Sequence, residues 1–259
     1  MVKTPSIIFM SISLILSIVL PVVLAFVLHR KLKFIWKSVL IGALIFLFFQ
    51  ILTRLPLLGY LSKNAWYVEF SMKYYFLFGF LLALSAGLFE EIGRYIGFKF
   101  FLKNHLTWEN GIAYGIGHGG LESVFIGTAF LNDLIISIVI NTGHTIPGLT
   151  QSIVSILTEA PSYQFLIGGI ERVFAFPGQV GFSLIVLYAV KNKKFSFLLL
   201  AILLHTILDF IAVVLAKNVW LAELCVGIFA IAFLVWILKS KKYFEVNSIQ
   251  NESSIESLG

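Results

Sequence analysis

The sequence predicts an all-α protein, a polytopic bundle of transmembrane helices, and two observations support this fold class. Hydrophobic residues make up 59% of the 259 positions and charged residues 12%, whereas soluble globular domains are about half apolar and about a quarter charged. The apolar residues also fall into seven runs, each near or above the roughly 20 residues that a membrane-spanning helix needs. We therefore expect an integral membrane protein of about seven spans, with membrane lipid as its main surrounding partner.

The seven runs follow one another along the chain with short polar breaks. They cover residues 7–28, 34–52, 75–98, 112–131, 164–190, 195–215 and 219–238. The first run is too long for the apolar region of a cleaved signal peptide, so we expect it to remain as an anchor. We predict one transmembrane domain over residues 1–243 and a polar, disordered cytoplasmic tail over residues 244–259.

Two predictions remain open for the segment 132–161. Its apolar pieces, LIISIVI and SIVSIL, are too short to span a bilayer as helices. Asn141, Gly143, Pro147 and Gly148 lie between them and favour a break. The segment forms either a re-entrant or interfacial cap, or tilted spans that would raise the count to eight or nine.

The lysine and arginine residues predict the orientation of the bundle. They cluster in every second loop, as HRKLK, KFFLK, KNKK and KSKK at residues 29–33, 99–103, 191–194 and 239–242. Because basic loops stay in the cytoplasm, we expect an external N-terminus and a cytoplasmic C-terminus. Basic residues confined to short loops indicate topology, and we expect no nucleic-acid partner.

Polar residues within the spans predict a functional site, because ionisable groups in a membrane are costly. We count 1.5 Å per residue from four residues at the ends of the cytoplasmic loops, Lys99, Glu109, Lys194 and Lys191. On this count Glu90 and His118 lie about 13 Å deep, His205 about 16 Å and Gln179 about 18 Å. Four different spans therefore place a polar residue at nearly one level. This coincidence predicts one buried polar chamber, which we expect to open toward the cytoplasm.

Two adjacent acids and an arginine interrupt the third run in the stretch EEIGR. Glu90 is four residues and Glu91 three residues before Arg94, so either carboxylate can reach the guanidinium group. A purely structural ion pair is the simpler interpretation. Two acids against one base leave an excess charge, however, and this excess favours a functional role.

The two intramembrane histidines each have a carboxylate one helical turn away. His118 is followed by Glu122 and His205 by Asp209, and each pair shares one helix face. A carboxylate in this position can fix the tautomer of the histidine or join it as a metal ligand. A lone histidine could simply bond a neighbouring helix, but the matching depths of His118 and His205 favour a shared site.

This set of residues could activate water by two routes. In the first, His118 and His205 bind zinc with Asp209 or Glu122, and another carboxylate takes the proton. In the second, Glu90 acts as a general base without a metal, and histidine and amide groups stabilise the oxyanion. Either route would hydrolyse a peptide bond inside the membrane.

The stretches EEIGR, GIGHGGLE and LLHTILDF resemble the motif set of the CAAX-protease and bacteriocin-processing membrane proteins. The chain resembles the related YhfC-type membrane peptidases more closely, because GHGGLE and ERVFA match two further motifs of that family. The resemblance runs from the third span to the sixth. It implies an intramembrane endopeptidase of a bacterial cell membrane that acts on a membrane-associated peptide or protein. It also implies a catalytic pair supported by an arginine and completed by a second set of polar residues, which here are Glu90, Glu91, Arg94, His118, His205 and Asp209.

Gln179 stands where the resemblance leads us to expect a third histidine. A glutamine amide is a poor zinc ligand but a workable oxyanion donor, so we assign Gln179 to the catalytic set. A non-catalytic immunity or binding protein with a degenerate protease-like site therefore remains an alternative. A proton-coupled transporter is another, since intramembrane acids and histidines also form proton relays, although we find no convincing internal repeat.

Three other charged residues are expected outside the catalytic set. We expect Arg54 to extend its side chain to the outer interface of the membrane. Glu171 and Arg172 are adjacent and lie a turn or two into the fifth span, and we expect them to form a structural pair that supports the site.

Overall fold

The structure is a computed structural model that describes residues 1–144 and 146–256. These residues form ten α-helices and no β-strand. A π-helical stretch, Leu47–Arg54, joins α2 to α3, and a second one, Gly97–Phe101, extends α5. The helices are α1 (Thr4–Leu32), α2 (Trp36–Phe46), α3 (Leu55–Leu61), α4 (Ala65–Lys73), α5 (Tyr75–Ile96), α6 (Trp108–Asn141), α7 (Gln151–Glu159), α8 (Tyr163–Lys191), α9 (Phe195–Val214) and α10 (Val219–Glu256).

Seven helical segments of the described chain are long and apolar enough to cross a membrane, which confirms the predicted fold class. The second combines α2, the first π-helical stretch and α3, and the third combines α5 with the second stretch. The segments are Thr4–Leu32, Trp36–Leu61, Tyr75–Phe101, Trp108–Asn141, Tyr163–Lys191, Phe195–Val214 and Val219–Glu245.

The segment 132–161 adds no span among the described residues. The piece LIISIVI continues α6 as far as Asn141, and SIVSIL forms the nine-residue helix α7. The chain between them passes through Gly143 and Gly148, which both have positive φ angles, 76° and 80°. Such angles suit glycine and end a helix. Helix α7 packs through Leu157 in a cluster with Met10 of α1 and Phe165 of α8, so it covers one end of the bundle and the alternative of extra tilted spans is wrong.

The apolar side chains of the spans are distributed as a lipid environment requires. Phe26, Leu52, Leu203 and Ile231 are each more than half exposed, which suits contact with acyl chains that are as apolar as leucine. Helix α8 is the exception, because 67% of its most apolar window is buried, against 39% or less in the other spans. Helix α8 therefore forms the centre around which the other spans pack.

Glycines bring α6 unusually close to two neighbouring helices. A Cβ atom on Gly117 would lie 1.8 Å from the carbonyl oxygen of Val39 in α2, and one on Gly115 would lie 2.5 Å from Cα of Val180 in α8. Small residues permit this close backbone approach in membrane proteins. His118 follows directly in the sequence, so the glycines fix its position between α2 and α8.

The C-terminal part of α10 runs beyond the predicted domain boundary at residue 243. The helix continues to Glu256 and so enters the segment 244–259 for which we predict disorder. The last three residues of that segment lie outside the described residues.

Candidate active site

The two acids of α5 lie inside the bundle and share Arg94 as their cation. Glu90 is 4% exposed, and Glu91 and Arg94 are fully buried. The Nε of Arg94 donates to Oε1 of Glu91 at 3.1 Å, and its Nη2 donates to Oε2 of Glu90 at 3.4 Å. Both carboxylates therefore reach the guanidinium group, as the helical spacing predicts.

Each acid also contacts its own histidine from a different helix. Nε2 of His118 in α6 lies 3.0 Å from Oε2 of Glu90, and Nδ1 of His205 in α9 lies 2.7 Å from Oε1 of Glu91. An ionised carboxylate only accepts hydrogen bonds, so Nδ1 of His205 carries the proton and Nε2 is the free ring nitrogen. The ring of Phe182 stacks on His205 with centroids 4.8 Å apart and planes inclined by 7°, which holds the imidazole in place.

Asp209 lies one turn beyond His205, as predicted, but does not form a direct hydrogen bond with it. Its Oδ2 is 3.7 Å from Nε2 of His205, which is too long for such a bond. The side chain of Asp209 is 38% exposed, against 5% for His205. Asp209 therefore acts on His205 as a nearby charge rather than as a fixed partner.

The guanidinium group of Arg94 also joins α5 to α8. Its Nη1 donates to Oγ of Ser183 at 2.8 Å and to the carbonyl oxygen of Gln179 at 3.1 Å, and its Nη2 donates to Oε1 of Gln179. Together with the bonds to the two acids, these contacts use all five N–H donors of the arginine. Every N–H donor of Arg94 therefore has a protein acceptor, and no water molecule is needed to complete its hydrogen bonds.

Gln179 continues the polar network toward α6. Its Nε2 donates to Oε2 of Glu122 at 2.5 Å. Nη1 of Arg172 donates to Oε1 of the same Glu122 at 3.0 Å, and its Nη2 donates to Glu171. Glu122 therefore pairs with Arg172 and Gln179, although it shares a helix with His118.

A cavity of about 160 Å³ adjoins this network, and it is large enough for several water molecules. Five of the eight predicted site residues line it, namely Glu90, Glu122, Gln179, His205 and Asp209. Three further charged residues also line it, namely Arg54, Glu171 and Arg172. The other predicted residues, Glu91, Arg94 and His118, lie behind the cavity wall and hold the lining residues in place.

The ends of the helices that carry the basic clusters meet on one side of the bundle. We call this end the basic face and define it by residues 29–33, 99–103, 191–194 and 239–242. Nζ of Lys191 donates to the carbonyl oxygen of Phe244 at 3.1 Å, and Nε1 of Trp108 donates to Oγ of Ser240 at 2.9 Å. These contacts join α6, α8 and α10 at the basic face.

The cavity extends away from the basic face. On α8 its lining runs from Phe182 to Glu171, and on α9 from His205 to Ala212. In both helices the second residue is farther from the basic cluster 191–194 than the first. The expectation that the chamber opens toward the basic clusters is therefore wrong.

Arg54 lies at the cavity and not at the outer membrane interface, where its sequence position predicts it. It is 8% exposed and lines the cavity, so it does not extend to the membrane interface. Its guanidinium group donates to Oγ of Ser85 at 2.9 Å, to the carbonyl oxygen of Leu82 at 2.9 Å and to Oε1 of Gln50 at 3.3 Å. Gln50 and Arg54 both belong to the π-helical stretch, and π-helical turns occur often at functional sites. The four-residue spacing of Gln50 and Arg54 within an apolar run was the available signal.

The site contains residue types that bind metal ions, but their side chains are not grouped around one common position. The cavity and its wall contain two more carboxylates than guanidinium groups, an imbalance that two histidine protons or one divalent cation would neutralise. Within the described chain, however, no three His, Cys, Asp or Glu side chains group so as to hold a metal ion. The candidate ligands His118, His205 and Glu122 each have a protein partner already, and Asp209 is 3.7 Å from His205. The residues as arranged therefore do not form a metal centre.

Comparison with known proteins supports the motif-based resemblance. A family model described as YhfC intramembrane metalloprotease matches residues 16–230. The chain is also 35% identical over 258 residues to the uncharacterized membrane protein YhfC of Bacillus subtilis (strain 168), and the match covers 95% of this chain and 100% of that protein. No solved structure matches the chain.

Proposed function

The chain belongs to the YhfC intramembrane metalloprotease family, and on that premise we propose that it is an endopeptidase that hydrolyses peptide bonds inside the membrane. One observation carries this proposal. A carboxylate, Glu90, reaches the inner end of a polar cavity and is held there by His118 and Arg94. A base, space for water and a membrane-embedded location are what intramembrane hydrolysis requires.

The proposed reaction begins with a water molecule in the cavity. Glu90 accepts a proton from the water as its oxygen forms a bond to the peptide carbonyl carbon. The tetrahedral intermediate collapses when the C–N bond breaks, and Glu90 returns the proton to the leaving amine. A general base must lie within hydrogen-bonding reach of the water, and among the two adjacent acids only Glu90 lines the cavity.

We assign the stabilisation of the developing oxyanion to groups on two other helices. The amide of Gln179 has two N–H donors, of which Glu122 uses one, and Gln179 lines the cavity. The second donor is available to the oxyanion. Nε2 of His205 is a second donor whenever that imidazole is protonated. Two donors aimed at the intermediate would supply the electrostatic part of catalysis.

Glu91 has a positioning role in this proposal. It is fully buried, does not line the cavity, and holds Nδ1 of His205 while accepting from Arg94. A carboxylate in that place fixes the tautomer and orientation of the imidazole. In this proposal the two adjacent acids have different roles. Glu90 is the general base that accepts the proton of the water, and Glu91 orients the imidazole of His205.

Zinc is part of the proposal only as a cofactor to be tested. The family name implies a metal, and bound zinc would supply a hydroxide near neutral pH. His118, His205, Asp209 and Glu122 are the ligands we expected, and they would have to change partners to bind it. We would measure the zinc content of purified wild-type protein and of the His118→Ala and His205→Ala variants. About one zinc per chain, lost in both variants, would support a shared metal centre, and none after zinc supplementation would refute it.

The orientation and the substrate class belong to the same proposal. We propose an external N-terminus, a cytoplasmic C-terminus and a membrane-associated peptide or protein substrate. The alternating basic clusters support the orientation. The EEIGR and GHGGLE motifs support a mechanism of the CAAX-protease type.

A direct test compares the Glu90→Gln variant with wild-type protein in proteoliposomes that contain a pool of membrane-spanning peptides. Mass spectrometry would detect new peptide termini. We expect cleavage by wild-type protein and by the Glu69→Gln variant, since Glu69 lies on the exposed helix α4. Glu90→Gln should abolish cleavage, because the amide keeps the shape of the side chain but cannot accept the proton. Undiminished cleavage would refute the role of Glu90.

The same variant separates the enzyme from a non-catalytic binding protein. Gln179 bridges Arg94 and Glu122, so its presence in place of a histidine is compatible with a working site. If a cellular phenotype of the wild-type protein survives in Glu90→Gln, a binding function is favoured over hydrolysis.

A further inference from the structure

The cavity runs from the acids toward the end of the bundle opposite the basic face. Eleven residues separate Phe182 from Glu171 on α8, which corresponds to about 16 Å of helix at 1.5 Å per residue. This distance is about half the thickness of a bilayer core of about 30 Å. A cavity confined to the reacting groups would not need this length.

Exposure of the side chains increases along this path. The side chains of Glu90 and His205 at the inner end are each 5% exposed. Glu122 is 19% exposed, and Glu171 reaches 41% at the outer end. The side chains that line the path are therefore more accessible toward the face opposite the basic clusters.

The route toward the basic face is closed by packed side chains. Phe98, Tyr114, Leu184 and Leu187 lie between the acids and the basic clusters, and all four are fully buried. The rings of Phe98 and Tyr114 lie 4.3 Å apart between centroids. Close packing of this kind leaves no room for water, so neither water nor peptide can enter from that side without rearrangement.

Charged groups of both signs line the open end of the path. We call this open end the vestibule and define it by Arg54, Glu171, Arg172, Asp209 and Ala212. The guanidinium group of Arg54 makes three hydrogen bonds and has five N–H donors. Its three bonds go to neutral groups, so two donors and the charge face no carboxylate at bonding distance within the described chain. Such donors can bond the carbonyl oxygens of an extended peptide.

We propose that water and substrate reach Glu90 through the vestibule, from the face opposite the basic clusters. The substrate is then an extended polypeptide segment presented at that face, and the positive-inside rule makes it the external face. An extended segment has free backbone N–H and C=O groups, which cannot remain unbonded in a membrane, and the carboxylates and guanidinium groups of the vestibule can bond both. The assignment of a peptide rests on the proposed function, but the direction of access does not.

Thiol labelling in intact cells tests the direction of access. The chain has a single cysteine, Cys225, so the Cys225→Ser variant is a cysteine-free background. Ala175 lines the cavity between the vestibule and the acids, and Ala175→Cys reports on water there. Lys193→Cys reports on the basic face. Leu203 is 56% exposed on the lipid-facing side of α9 and serves as the matched control.

Each variant would be exposed to a charged, membrane-impermeant methanethiosulfonate reagent, in intact and in permeabilised cells. We expect Ala175→Cys to react in intact cells at least about tenfold faster than Leu203→Cys, because the reactive thiolate forms only in contact with water. Lys193→Cys should react only after permeabilisation. Gel filtration of each variant confirms that the labelled protein is folded. Ala212→Cys provides a second labelling position, at the mouth of the vestibule.

Three outcomes would overturn the proposal. Reaction of Ala175→Cys and Lys193→Cys from the same side would refute access from the opposite face. Absence of reaction at both Ala175→Cys and Ala212→Cys in folded protein would refute an aqueous path. Reaction of Lys193→Cys in intact cells and of Ala175→Cys only in permeabilised cells would overturn the assignment of external substrates.

The labelling experiment is independent of catalysis. Repeating it with Glu90→Gln in the same background should give the same pattern, because that substitution keeps the shape of the side chain. If the labelling pattern holds while Glu90→Gln still cleaves peptides, the direction of access stands and the proposed role of Glu90 fails. If cleavage requires Glu90 but labelling occurs from the basic face, the proposed role of Glu90 stands and the proposed direction of access fails.

Discussion

The fully bonded guanidinium group of Arg94 gives the sharpest prediction about stability. Arg94→Ala removes the cation shared by Glu90 and Glu91 and the five hydrogen bonds of its guanidinium group, three of which join α5 to α8. Removal of one partner from a buried ion pair costs about 3–5 kcal/mol, because the other charge is left unpaired. We therefore expect the free energy of unfolding to fall by about that amount.

Arg54→Ala is the matched control, since Arg54 is also buried and lines the same cavity. Its three hydrogen bonds go to Ser85, Leu82 and Gln50, none of which is charged. Loss of these bonds leaves polar groups unsatisfied but no buried charge in direct contact. We expect a smaller decrease, of about 1–3 kcal/mol.

Reversible unfolding in mixed detergent micelles, followed by circular dichroism, would measure both variants. A double substitution with Glu91→Gln provides the internal check. If the cost of Arg94→Ala comes from an unpaired carboxylate, the double variant should recover about 0.5–3 kcal/mol relative to the sum of the two single changes. A cost for Arg94→Ala below that for Arg54→Ala, or no recovery in the double variant, would refute the reasoning.

Two further predictions test the packing of α6 and the polar network. Gly117→Ala should destabilise the protein, because its Cβ would lie 1.8 Å from a backbone oxygen of α2. Gly59→Ala should not, since a Cβ atom there would meet nothing within 4 Å beyond its own stretch of helix. Equal thermal midpoints of the two variants would contradict the close approach of α6 to α2. Gln179→Glu should lower peptidase turnover by more than its effect on the amount of folded protein explains. A carboxylate at this position would face Glu122 and could no longer donate a hydrogen bond to Glu122 or to the oxyanion. Unchanged turnover would exclude Gln179 from the site.

The number of spans and the level of the site could be predicted from the sequence because both depend on distance along the helix axis. Runs of about 20 apolar residues identify spans, and counting from the ends of the cytoplasmic loops places Glu90, His118, His205 and Gln179 at similar depths. The contacts of Glu90 and Glu91 with Arg94 also follow from helical spacing. These features need no knowledge of how the helices pack.

The partners of the acids could not be predicted, because they depend on the rotation of each helix about its axis. Adjacent residues on a helix point about 100° apart, so Glu90 and Glu91 must face different neighbours. Which of them meets His118 and which meets His205 is decided by the packing of α6 and α9. Glycine contacts such as that of Gly117 fix this packing, and the sequence gives their position but not their partner.

Arg54 and the direction of the cavity were missed for a related reason. A basic residue near the end of an apolar run normally extends to the interface, but the π-helical stretch Leu47–Arg54 changes the rotation of the residues that follow it. The same stretch places Gln50 and Arg54 on the cavity. The depth of a residue along its helix does not show on which side of the acids the bundle is closely packed. The closed packing around Tyr114 and Leu184, on the side of the basic face, could therefore not be predicted.

The energetics of the network argue that it serves chemistry rather than stability. Buried ion pairs seldom stabilise a protein relative to apolar side chains of the same volume, because desolvation offsets their attraction. A chain that needed only helix contacts between α5 and α8 could use close apolar packing, like that of Gly117 against Val39 between α6 and α2. Here Arg94 satisfies every donor, while Glu90 remains at the edge of a cavity that water can enter. A fully bonded cation beside a carboxylate with access to water is the arrangement that a general base requires, and a structural pair would not need the cavity.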